Sequence, residues 1–583
     1  MAILDTTMNR IKTTIHGMKM KIILSILIAL HATSTYAGQQ VLVLSGGDNP
    51  GLNHYTQYLQ TKTLYEHLIT RFNPETVSIY FGGGNTPTTQ LSPFDVHKLI
   101  NTKDNQQNKE DVMFTGIIAN NQQANKYNVD AFFLSSKIQQ INPGDNLLLF
   151  VSDHGMPHGF LEDKNINPYS NNCIDLWHYQ KPFINNFTSA KNFSKACLSK
   201  NELSSLLTLI PSQHVIFAMS QCYSGGFHQL SVTTQDGYPV ANTKICGFTS
   251  STDDHYASGC TADANGATYQ GYERSFTEWY TGHGVIDGKK IREPAKSMLV
   301  AHQNAIIDDM TVDIPLSTSD YYLLQWAKLF ASKQFKSRTK HYDNNMIQSI
   351  YLNYKKRLQS SNNDALSQFM HVARASEDKI VQLMPEAGEF ASLSITQQKQ
   401  KISSLEKQLE RQGKELQAVW EGMMNLTLNV ITPTWEKTVN HSKNQPLNEK
   451  QQTFEKEFYQ TIVKLNLYQH PYQFEMYYLQ YLSEKQNDPD LVNYQKNRNA
   501  IIYQWARAHN NDSLANAIKN WEKLNKKQLS LTEHIAEEEK KKQWLKRIFT
   551  YNQIMASWVT LLAIHDEKAL DDLEGLLKCQ NAS

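Results

Sequence analysis

The sequence predicts an α/β fold, a mainly parallel sheet flanked by helices, followed by an all-helical C-terminal region. Three observations carry that expectation. Between residues 40 and 287, short continuous apolar runs alternate with stretches of helical period, the pattern of a sheet covered on both faces. After about residue 290, glycine and β-branched runs thin out, and Gln, Lys, Glu, Asn and Leu at helical spacing continue to the end. The chain is 583 residues long and 40% hydrophobic, ample for at least one large core. Its 57 Lys and Arg against 56 Asp and Glu leave a net charge of +1, so there is no general basic excess for a nucleic-acid backbone and no nucleic-acid partner is expected.

At the N-terminus, Lys19 and Lys21 precede an apolar run over residues 22–30, then small and polar residues ending Thr35-Tyr36-Ala37. This reads as a signal peptide over residues 1–37, since the run is short for a bilayer span and a small-residue cleavage site follows. No other segment approaches 18 uninterrupted apolar residues, so the mature chain is expected to carry no integral membrane segment and to occupy an extracytoplasmic space, periplasmic or secreted.

The first expected strand is Val41-Leu42-Val43-Leu44, ending at Ser45-Gly46-Gly47. A crossover helix with Leu64, Leu68 and Phe72 on one face leads to a second strand, residues 77–81, and then to Gly82-Gly83-Gly84. Residues 147–151 and 215–219 are continuous apolar runs stopped by small or polar residues, as central strands are. Ser199 and Glu202 have capping-box spacing and open a helix through Leu203, Leu206 and Leu207, closed by Pro211. In the second half, Ile395, Ile402, Leu409 and Leu416 form a heptad-like seam weakened by Gln398 and Gln412. It fits one long helix of a bundle, or a coiled coil through which the chain would self-associate or hold a partner. Glu537 with Lys541 and Glu538 with Lys542 read as i,i+4 pairs on a solvated helix face.

The chemistry concentrates at two strand ends. Residues 147–151 run into Ser152-Asp153-His154-Gly155, and residues 215–219 into Ser220-Gln221-Cys222-Tyr223-Ser224-Gly225-Gly226. In an open parallel sheet the carboxyl ends of the strands form the ligand crevice, so neighbouring strands would bring His154 and Cys222 together. A thiol attacks as its thiolate, and an adjacent imidazole can take the proton. Backbone N–H groups near Gly155 and Cys222 could stabilise an oxyanion, with Gly155 admitting close approach. With Cys222 reserved for chemistry, Cys173, Cys197, Cys246 and Cys260 can form two disulfides, in any of three pairings.

These residues resemble the legumain family of cysteine peptidases, within the caspase-like clan. The resemblance rests on Asp153-His154-Gly155 and on Cys222-Tyr223-Ser224-Gly225, each after an apolar strand. It extends to the turn Ser45 through Asn53 and to the segments Thr249 through Asp254 and Thr268 through Tyr280, covering roughly residues 41–287. It implies a caspase-like peptidase domain over residues 38–290, with 291–583 as a helical cap, pro-domain or partner-binding module. It also implies that Asn53, with Asn49 as runner-up, supports the catalytic His154, and that Ser220, Thr249, Ser250 and Glu273 bind substrate. Two departures stand out. No arginine follows Asn53, where the chain reads His54-Tyr55-Thr56-Gln57, and Ser220 replaces the family's usual acid two positions before the nucleophile. Cleavage after asparagine is therefore not implied.

The expectation is an exported cysteine endopeptidase acting on a protein or peptide, in which Cys222 attacks, His154 transfers protons and N–H groups at Gly155 and Cys222 hold the oxyanion. A transpeptidase or ligase would use the same dyad, and a non-catalytic secreted binding protein could keep the scaffold with a decayed site. No metal or other cofactor is expected. His154 and His158 fall in a loop with Gly155, Pro157 and Gly159 and lack a glutamate of zinc-site spacing, and Gly82-Gly83-Gly84 lacks the Lys-Ser/Thr of a phosphate loop. Ser224 lacks the frame of a serine nucleophile elbow. Asn186, Asn192 and Asn425 head glycosylation sequons.

Overall fold

The apolar runs are continuous because both faces of the sheet are buried. Val41, Val43, Ile79, Phe81, Leu148, Phe150, Ile216 and Phe248 point to one face, and Leu42, Leu44, Tyr80, Leu147, Leu149, Val151, Phe217 and Met219 to the other. The computed structural model describes residues 39–49, 52–85, 118, 121–139, 141, 145–157, 167–178, 195–210, 214–259, 269–331, 365–431, 433–434, 499–500, 502–504 and 506–582. The expected signal peptide, His158, Asn186, Asn192, Pro211, Cys260 and Thr268 lie outside the described residues.

The strands are β1 (Gln40–Gly46), β2 (Val77–Phe81), β3 (Asn146–Met156), β4 (Cys173–Asp175), β5 (Cys197–Ser199), β6 (His214–Met219), β7 (Val232–Gln235), β8 (Tyr238–Ala241), β9 (Ile245–Thr249) and β10 (Leu316–Ser317). The main sheet has the order β10-β9-β6-β3-β1-β2, parallel except for the antiparallel edge strand β10. Beyond Val151, β3 leaves β6 and pairs antiparallel with β4, which pairs with β5. This ladder makes β3 longer than its apolar run, and a Cys173–Cys197 disulfide closes it.

One face of the sheet is covered by α1 (Tyr55–Arg71), and the other by α2 (Lys126–Leu134) and α3 (Lys200–Leu207). The capping box at Ser199 and Glu202 is present at the start of α3. Helices α4 (Tyr272–Thr281), α5 (Met298–Asp308), α6 (Thr318–Ala331) and α7 (Ala365–Leu383) join the α1 face. The long α8 (Ile395–Asn425) pairs with α9 (Asp512–Ile564), and α10 (Glu567–Asn581) ends the described chain.

The compositional change near residue 290 does not coincide with the end of the sheet, because β10 adds to β9 from beyond it. Tyr551, Ile554, Trp558, Leu573 and Leu576 of α9 and α10 are buried in the same core as Val41, Phe150 and Phe248. A second disulfide joins Cys246 of β9 to Cys579 of α10. This corrects the expectation that Cys246 pairs within the Cys173–Cys260 group: α10 packs against β9 and brings the distant thiol into reach. The heptad-like seam of α8 faces α9 of the same chain, with Ile402 and Val419 buried and Lys527–Glu415 and Lys546–Glu406 ion pairs beside it. The acidic-basic run pairs Lys541 with Glu537 as expected, but Lys542 pairs with Glu539 rather than Glu538 and both are largely covered. Among the described residues, no helix is long and apolar enough to cross a membrane.

Candidate active site

The β3–β6 register aligns Val151 with Met219, so His154 and Cys222 emerge at the same end of neighbouring parallel strands. The Ser220 N–H donates to the Val151 carbonyl, extending the pairing by one step. Gly155 then lies directly against Cys222. A β-carbon there would overlap the Cys222 carbonyl oxygen and lie 2.9 Å from its carbon, so only glycine lets the two strand ends approach. The antiparallel pairing of His154 with Asp175 and of Gly155 with Ile174 fixes this extension of β3 from its other side.

Cys222 is the free thiol among the described cysteines. The turn after it puts Tyr223 at φ 59°, a left-handed conformation that is unfavourable for a bulky residue and is held by surrounding hydrogen bonds. The Tyr223 N–H donates to the His255 carbonyl at 2.8 Å, and Asn172 Nδ2 donates to the Tyr223 carbonyl at 2.9 Å and to the Asp253 carbonyl at 2.8 Å. The Ala257 N–H points at Cys222 Sγ, 3.3 Å away. Burial pushes the thiol up to about 11, opposed by that N–H and reinforced by the Asp313 and Glu273 carboxylates.

The His154 ring donates through Nε2 to the Leu52 carbonyl at 2.8 Å. A carbonyl only accepts, so the neutral ring carries its proton on Nε2 and its basic nitrogen is Nδ1. The ring packs against His54 at 5.4 Å between centroids. Burial lowers its pKa to about 4, helped by His54 and opposed by the Leu52 bond. Thiol and imidazole are thus both neutral at rest, and no hydrogen bond joins them among the described residues. Behind His154, burial raises Asp153 and Asp175 well above the carboxylate range, and their proximity to each other and to Asp48 adds to it.

The other expected site residues divide. Asn53 is fully buried with its amide against the backbone of Gly46 and Gly82, and it is the Leu52 carbonyl beside it that meets the His154 ring. Asn49 sits in the same turn, where its carbonyl accepts from the Leu52 N–H. Ser220 and Glu273 are brought together. The Ser220 hydroxyl donates to Glu273 Oε1 at 3.1 Å, the Ser152 hydroxyl donates to the same oxygen, and the Tyr269 hydroxyl donates to Oε2 at 3.5 Å. Ser152, Ser220 and Glu273 line a void of about 10 Å³. Burial raises Glu273 to about 7 against those hydroxyls. Ser250 braces the turn before Cys222 through the Ser220 carbonyl at 2.9 Å, whereas Thr249 meets His228 Nε2 at 3.0 Å, on the way into the core. Among the described residues, no cluster of His, Cys, Asp and Glu could hold a metal ion.

Sequence reasoning missed the Leu52 carbonyl, His54, Ser152, the Ala257 N–H and Asp313. Of these, His54 and Ser152 flank residues already singled out, and proximity in sequence could have found them. Nothing local marks a backbone group or Asp313. No protein-family model matches the chain, and neither does any curated protein.

Proposed function

We propose that the chain is an exported cysteine endopeptidase of legumain-like type on a caspase-like scaffold. The observation that supports this reading is the register that brings His154 and Cys222 to the same end of neighbouring strands, with Gly155 against the Cys222 backbone. On substrate binding, Cys222 Sγ attacks the scissile carbonyl carbon and its proton passes to His154 Nδ1. The Nε2–H bond to Leu52 holds the ring as it becomes imidazolium. Backbone N–H groups at Gly155 and Cys222 take the oxyanion. The imidazolium then gives its proton to the leaving amine, and water, deprotonated by the same ring, hydrolyses the thioester. Peptide hydrolysis would therefore be lost in Cys222→Ala and in His154→Ala. Mass spectrometry of a diverse peptide mixture, treated with the purified chain over pH 4–8, reads both the activity and the residue preferred at the cleavage position.

One observation favours the non-catalytic alternative: burial raises the resting thiol to about 11 and lowers the His154 ring to about 4, which leaves a wide gap between donor and acceptor. A catalytic pair must close that gap when substrate displaces water and tightens the geometry. If wild type and Cys222→Ala leave the peptide mixture equally intact, the scaffold is a binding protein and the peptidase reading falls.

A further inference from the structure

Arg547 of α9 is the largest fully buried side chain among the described residues, and it lies far in sequence from the strand ends. Its Nε donates to the Asp313 carbonyl at 2.8 Å, Nη1 to the Asp309 carbonyl at 2.6 Å and Nη2 to the Asp309 carboxylate at 2.7 Å. Five donors in a rigid fork suit several acceptors on one short segment, which a lysine could not satisfy together. The segment so held presents the Asp313 carboxylate to two backbone donors, Ser258 N–H at 2.5 Å and Tyr272 N–H at 3.0 Å. Ser258 follows Ala257, whose N–H meets the nucleophile. The same helix touches this loop again, with Gln543 Nε2 at 3.5 Å from His255 Nδ1, and the His255 carbonyl receives the N–H of Tyr223.

We infer that Arg547 is a positioning residue for Cys222, acting through Asp313 and the 255–258 loop, so that α9 is a wall of the nucleophile's pocket and not a removable cap. This deepens the peptidase reading and rests on it for its catalytic meaning. Its physical content is that the Ala257 N–H stays aimed at Sγ only while the 309–313 segment is clamped.

The test is alkylation of Cys222 by iodoacetamide in the full chain over pH 6–10, beside steady-state peptide hydrolysis. Arg547→Lys is compared with Trp521→Phe, which weakens the same helix at its α8 contact. Asp313, Glu273, Tyr223 and Tyr256 act on the thiol electrostatically and the Ala257 N–H points at it, while His154, the proton acceptor of the proposed reaction, is lowered to about 4 and stays neutral across this range. Losing a donor to a developing thiolate slows alkylation by about tenfold or more at pH 7.5 and moves the profile to higher pH. It also lowers kcat more than it changes KM. Trp521→Phe leaves the profile in place. Should Arg547→Lys fail to fold, Asp313→Asn decides. Burial beside Asp309 raises Asp313 to about 8, so the comparison is made at pH 9–10, where removing that charge alone would speed alkylation, whereas loosening the loop slows it. An unchanged profile in Arg547→Lys, an equal slowing in Trp521→Phe, or faster alkylation in Asp313→Asn overturns the inference. A wild-type chain that alkylates at Cys222 but cleaves no peptide overturns the peptidase reading and leaves the positioning role standing.

Discussion

Replacing Gly155 by alanine tests the strand-end crevice most directly. The new β-carbon would lie 2.8 Å from Gln221 Cγ and 2.9 Å from the Cys222 carbonyl carbon, and closer still to the carbonyl oxygen, whereas ordinary contact begins near 3.4 Å. The Cys222 atoms in the way are backbone, so no rotamer change relieves the overlap, and β3 must part from the Cys222 turn by about half an ångström or more. Overpacking of that kind costs about 1–3 kcal/mol. On the proposed peptidase reading, a misplacement approaching 1 Å between Cys222 and its substrate costs about a hundredfold in rate. Equilibrium urea unfolding reads the first quantity, and hydrolysis of the best peptide from the cleavage screen reads the second. A Gly155→Ala chain with wild-type turnover and a stability within about 0.5 kcal/mol of wild type, the range of an ordinary surface substitution, would refute the close approach.

Three further outcomes follow from the same geometry. Glu273 is raised by burial from 4.5 to about 7, so the unfolded chain ionises it first and stability falls as pH rises from about 4.5 through 7. Wild type should lose about 3 kcal/mol relative to Glu273→Gln between pH 4.5 and 8 in urea titrations, and parallel curves would exclude the shift. In the resting chain Cys222, at about 11 against an ordinary 9, should alkylate about a hundredfold more slowly at pH 7.5 than a small exposed thiol; a rate equal to the free thiol's would contradict its burial. Cys579→Ser should lower the unfolding free energy by about 2–5 kcal/mol and leave Cys246 alkylatable after denaturation, which peptide mapping detects; an unaltered Cys246 would rule out the bridge.

What the sequence determined by itself was local and periodic. Alternate residues of 41–44, 147–151 and 215–219 face two buried surfaces, which is why uninterrupted apolar runs marked parallel strands, and their abrupt polar ends marked the neighbouring strand ends that carry His154 and Cys222. The capping box at Ser199 was equally legible because its bonds close within one turn. The tertiary structure decided whatever depends on which distant surfaces meet. Cys246 bonds Cys579 because α10 covers β9, Asp313 reaches the Cys222 loop because β10 completes the sheet from beyond residue 290, and Arg547 is buried because α9 crosses that segment. No spacing encodes these pairings. A buried charge or a stray cysteine looks the same in sequence wherever its partner lies, and only packing of the whole chain supplies that partner.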